Sequence, residues 1–191
     1  MVTSKVYVNN RGAGREEAFA ELERFADYLS ISRRDRLHIR LLSEEMLGMV
    51  SQIGGDFDAE FWAEYRDGTA RLCLEAELGR MSAQKREELL KASTSGKNAC
   101  AKGFMGKIKN VVELYWLGCK DSVAASAPSF EDASEWKLSD YKSAVEQQKD
   151  GESTAWDELE KSIAANIADE ISVGVKGETV EFIITKKVSE E

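Results

Sequence analysis

The ten residues LLSEEMLGMV, 41–50, set two adjacent carboxylates, Glu44 and Glu45, inside a stretch whose apolar spacing is that of a helix. A glutamate held at the edge of an apolar face is partly stripped of water, which makes it a stronger base toward water or a hydroxyl. On a helix of about 3.6 residues per turn, His38, Glu45 and Gln52 fall along one shoulder of the apolar stripe, Met49 falls just inside it and Glu44 points away. The same pattern fits a polar border around a buried face, and residue types alone do not separate the two readings. A second chemical candidate is GKNACAKGFMGKI, 96–108, where Gly96, Gly103 and Gly106 stand beside Lys97, Lys102 and Lys107 ahead of a helix. Free amides at a helix start and nearby ammonium groups attract phosphate, though glycine and lysine are equally ordinary in a plain loop.

The other reactive types suggest less. Cys73, Cys100 and Cys119 are odd in number and lack C-x-x-C spacing, so neither a disulfide framework nor a zinc site is expected, and buried thiols are. Twenty-six basic against thirty-five acidic side chains give a net charge of -9, which repels a nucleic-acid backbone. No apolar run reaches the roughly 20 residues of a membrane span, and MVTSKVYVNN lacks the features of an export signal, so a cytoplasmic protein is expected. The 191 residues suit one domain with a real core.

Elements that must position these groups follow from periodicity. SKVYVNN alternates as a first strand and is broken by Gly12 and Gly14. Ala18, Phe19, Leu22, Phe25, Ala26 and Leu29 give one face of a helix over 15–29. Ser32 and Asp35 form a capping box for a second helix over 33–53, whose stripe is Ile39, Leu42, Met46, Met49, Val50 and Ile53. The sequence FDAEFWAEYRDGTARLCLEAEL, 57–78, predicts a hairpin closed at Asp67-Gly68. That register sets Tyr65 opposite Ala70, Ala63 opposite Leu72 and Phe61 opposite Leu74, all on one apolar face. The other face carries the carboxylate pairs Glu60 with Glu75 and Asp58 with Glu77, read as solvated. A short helix is expected over 81–93, a loop over 94–103 and a helix from Phe104 to Tyr115. Residues 120–153 form a weakly patterned, helical insert with a helix near 141–148. A last helix spans Trp156 to Ile167, and two strands follow about a Lys-Gly turn. The predicted class is α+β, a two-layer sandwich with a mixed, mostly antiparallel sheet and helices on one face.

This order, with a glutamate on the second helix, resembles the histidine-kinase-like ATPase, or Bergerat, fold. The run REEAFAELERFADYLSISRRDRLHIRLLSEEMLGMVSQIGG looks most like the start of the bacterial anti-sigma factor serine kinases. The resemblance covers residues 1 to about 116 and returns at IADEISVGVKGETVEFIITKK. It implies ATP as ligand, Glu45 as general base, and a nucleotide site drawn from Met49, Glu77, Gly79, Lys97, Lys102, Gly103 and Gly106. Met49 stands where the family has a magnesium-holding asparagine, and a thioether is a poor ligand for that hard cation, so magnesium is not expected. Glu77 and Gly79 are the nearest echo of an adenine-binding D-x-G motif, with Glu77 on the polar parity of its strand. The resemblance thus implies a degenerate member that binds a regulatory protein partner, or a second copy as a homodimer, with weak or no ATP binding. The alternative is an active ATP-binding serine kinase or ATPase with a divergent pocket.

Overall fold

Asp67 and Gly68 both have positive φ, 49° and 75°, the pairing that a two-residue turn of the favoured hairpin type requires. The turn joins β2 (Asp58–Arg66) to β3 (Thr69–Glu77), and it fixes the register from Glu60 opposite Glu75 to Arg66 opposite Thr69. The computed structural model describes residues 1–53, 57–77, 104–116, 135–147, 154–176 and 179–189. The predicted helix over 81–93 and loop over 94–103 lie outside these residues.

β1 (Val6–Asn9) pairs with the free edge of β2. On the other side of β3 come β6 (Thr179–Lys187), β5 (Glu170–Lys176) and the edge strand β4 (Glu135–Lys137). Every pairing in the order β1-β2-β3-β6-β5-β4 is antiparallel, so the expected mixed sheet is corrected to an antiparallel one among the described strands. Consecutive strands joined as hairpins explain this: β2–β3 and β5–β6 are both local pairs, and no parallel crossover is needed. The α+β class stands.

Alternation puts Val6, Val8, Phe61, Ala63, Leu72, Leu74, Phe182, Ile184, Ile171 and Val173 on one buried face. Two helices, α1 (Arg15–Tyr28) and α2 (Arg33–Val50), contribute Phe25, Ile39, Leu42 and Met46 to the same core. At the entry to α1, Gly14 has φ 74°, and a Cβ there would sit 1.8 Å from the Tyr7 carbonyl oxygen, so only glycine lets the helix lie this close to β1. α3 (Phe104–Trp116) packs on β5 and β6. α2 ends at Val50 rather than Ile53, its last three residues forming a turn.

Within the expected insert, the helix foreseen near 141–148 is present as α4 (Leu138–Gln147), and an unforeseen strand precedes it, β4, with Trp136 opposite Val173. Trp136 is buried and meets Phe104 and Tyr141 with ring centroids 6.0–6.2 Å apart, so these aromatics serve the core. The expected last helix is two, α5 (Thr154–Lys161) and α6 (Ile163–Ile167), because the Ser162 hydroxyl accepts from the Ala165 amide at 3.1 Å and starts a new helix.

Ser32 caps α2 as expected, accepting from the Asp35 amide at 3.2 Å. The return arm of the capping box differs. The Asp35 carboxylate accepts from the Ser189 amide at 2.9 Å, the Ser189 hydroxyl at 2.7 Å and the Ser32 hydroxyl at 3.0 Å, while the Ser32 amide donates to the Ser189 carbonyl. This clasp ties the end of β6 to the start of α2. Burial pushes the Asp35 carboxyl up, but the hydrogen bonds from Ser189 and Ser32 outweigh it and hold the group below the usual carboxylate value. A depressed folded value stabilises above the unfolded value of about 4 and is lost as pH falls through the folded one. Asp35→Ala is therefore expected to lower unfolding free energy by about 1–3 kcal/mol at pH 7. In urea titrations its deficit against the parent should shrink below about pH 4; a deficit that grows there would refute the clasp.

Candidate functional site

α2 carries Glu44, Glu45, Gly48 and Met49 along the side that faces the first turn of α3, and the two helices leave a cavity of about 340 Å³ between them. Its described lining is these four residues with Gln52, Met105 and Gly106. The volume lies at the lower end of the roughly 300–1,000 Å³ typical of ligand pockets. Of the residues singled out in the sequence, Glu45, Met49 and Gly106 come together here. Glu44, expected to point away, also lines the cavity.

Glu77 is not part of this site. It lies on the opposite face of the sheet with Tyr7, Asp58, Glu60 and Glu75, while Ala76 takes the buried parity. The carboxylate pair Glu60 and Glu75 is not simply solvated: Lys5 reaches both, at 2.7 and 3.7 Å, and lies 4.4 Å from the centre of the Trp62 ring. Beneath them Trp62, Cys73 and Ile183 form a small separate apolar cluster. Cys73 is buried as expected, and burial pushes its thiol up to about 12, which removes it as a nucleophile. Cys100, Cys119, Gly79, Lys97, Lys102 and Gly103 lie outside the described residues.

His38 stands apart from the cavity lining. Its Nδ1 is 3.8 Å from Asp35 Oδ1, beside the clasp. Lys107 is also committed elsewhere, pairing with Glu158 at 2.6 Å and donating to the Tyr141 hydroxyl at 2.9 Å. Burial pulls the Lys107 ammonium down, and these two partners more than restore it.

The electrostatics of the cavity are one-signed among the described residues. Glu44 accepts from Arg40 Nε at 2.9 Å, and Arg40 also stacks 4.1 Å from the centre of the Phe19 ring. Glu45 is half-buried and makes no ion pair or hydrogen bond with any described residue. Met49 is 2% exposed, and with Met105 it gives the cavity polarisable thioether walls. Among the described residues no three His, Cys, Asp or Glu side chains gather as a metal site. The geometry suits a cationic or neutral guest with an apolar stem better than an anion.

Gly48 and Met105 are the members for which the sequence reading assigns no role, and Glu44 is the one it turns away from the site. A signal existed for Gly48: glycine inside a helix costs about 0.5–1 kcal/mol relative to alanine and so invites a reason. Among the described residues a Cβ at Gly48 would meet nothing within 4 Å, so no described neighbour requires glycine there, and its bare backbone lines the cavity.

Comparison of the chain with protein-family models, curated proteins and solved structures gives no match. Gly48→Ala is expected to raise unfolding free energy by about 0.5–1 kcal/mol in urea denaturation. Destabilisation would mean that a neighbour does occupy the space beside Gly48.

Proposed function

We propose that this chain is a regulatory protein on a degenerate histidine-kinase-like ATPase scaffold, acting like an anti-sigma factor by binding a protein partner, with weak or no ATP binding. The reading is carried by one observation, the shared lining of a cavity by Glu45, Met49 and Gly106. Those are the positions that the resemblance gives to the base, the metal ligand and the phosphate loop. That grouping supports the scaffold reading, and the thioether at the metal-ligand position argues against turnover.

Nucleotide hydrolysis needs a divalent cation to bridge the phosphates and neutralise developing charge. A thioether at Met49 does not hold magnesium. Without the metal, a phosphate oxygen about 4 Å from an unneutralised carboxylate meets a repulsion of about 4 kcal/mol at an effective dielectric near 20. Two carboxylates border this cavity, and Lys107 is paired to Glu158 rather than turned to a phosphate. A net charge of -9 adds to the bias and favours a partner with basic surface.

A working serine kinase or ATPase is the second reading, favoured by the half-buried Glu45 beside Gly106. Calorimetric titration with magnesium-ATP separates the two. No saturable binding at micromolar concentration is expected, and the chain should bind, pairwise, a sigma factor or sigma-factor antagonist of its own host. Saturation by magnesium-ATP, with turnover abolished by a folded Glu45→Ala variant, would replace the regulatory reading with the enzymatic one.

A further inference from the structure

We infer that the cavity between α2 and α3 is a socket for one basic side chain, an arginine or lysine, of the protein partner. The inference rests on the protein-binding reading above and names the chemistry that the partner must bring.

Three features carry it together. First, Glu45 is a carboxylate that borders the cavity and has no counter-ion among the described residues, whereas Glu44 beside it is already held by Arg40. A guest cation therefore finds one acceptor free and a second close by, partly neutralised. Second, the walls from Met49 and Met105 are unbranched and polarisable, which suits the methylene stem that arginine and lysine lay along apolar surface while the charge seeks a polar end. Third, Gly48 removes the side chain that would stand in the opening, and no contact with a described residue accounts for its being glycine. The cavity of about 340 Å³ takes a long side chain with the backbone that presents it.

The opposing acidic pocket on the far face of the sheet is unsuited to the same role. Its pair Glu60 and Glu75 already shares Lys5, and the Tyr7 hydroxyl donates to Asp58. The asymmetry between the two faces is what singles out α2: on the far face the chain supplies its own cation, and at Glu45 no described residue does.

Recognition of this kind discriminates by charge. Arginine and citrulline have nearly the same shape, but only the first offers charge-assisted donors to a carboxylate. The probe is acetyl-Ala-Arg-Ala-amide against acetyl-Ala-citrulline-Ala-amide, titrated into the full chain while the Gly48 and Gly106 amide signals and the Met49 and Met105 methyl signals are followed by NMR. The arginine peptide should move these four signals saturably, with at least fivefold weaker binding for the citrulline peptide. Glu45→Gln, nearly isosteric at a half-buried position, should weaken the arginine peptide by about five- to tenfold. Gly48→Met should fill the opening and abolish the shifts while the fold stays intact by circular dichroism. Equal binding of the two peptides, shifts that do not saturate, or arginine binding untouched by Glu45→Gln would each overturn the socket. If magnesium-ATP instead moves the same four signals, the protein-binding reading fails with it; if neither peptide nor nucleotide does, only the socket fails.

Discussion

The constraint on which everything else depends is strand parity. With Asp67 and Gly68 locked as a two-residue turn, every side chain of β2 and β3 is assigned to a face, and a slip by one residue would turn Phe61, Ala63, Leu72 and Leu74 outward together. β6 inherits the same parity, since Leu74 lies opposite Phe182 and Leu72 opposite Ile184. The helices then have one apolar surface to cover. Parity also settles the fate of Glu77, which must face away from the helix layer because Ala76 faces toward it.

That assignment decides what the cavity between α2 and α3 can contain. With Glu77 on the far side and Lys107 tied to Glu158, the described lining has carboxylates, thioethers, a glutamine and two glycines but no cation. A pocket of this sign works against polyphosphate unless a metal reverses it, and Met49 occupies the place from which the resemblance would supply the metal ligand. A cavity lined in this way offers an acid that no described residue pairs, beside thioether walls.

Local pattern was enough for the parts of the fold that are local. The hairpin register, the two helices before it, the Ser32 cap and the burial of Cys73 follow from alternation, three-and-four spacing and turn chemistry within a few residues. What escaped is non-local. β4 is only three residues with Trp136 between Glu135 and Lys137, and it becomes a strand by pairing with β5 more than thirty positions later. Asp35 signals a capping box, yet its carboxylate is spent on Ser189, 154 positions away. At the site, helical spacing groups Glu45, Met49 and Gln52, which do line the cavity, but it adds His38, which lies beside Asp35, and leaves out Glu44, since which residues border a cavity depends on two helices rather than one. The stop between α5 and α6 is not legible in the spacing, because Ser162 interrupts an apolar pattern that itself reads through.

The most direct test is to place a paramagnetic metal-nucleotide against the cavity. Manganese-ATP broadens amide signals close to the bound metal, and Gly48 and Gly106 report from its two walls. If the cavity is closed to polyphosphate by its own carboxylates, the Gly48 and Gly106 signals should keep their intensity relative to distant residues as manganese-ATP is added. Selective, saturable broadening of those two signals would show that metal and nucleotide enter together, and the account of an acidic cavity closed to polyphosphate would have to be abandoned.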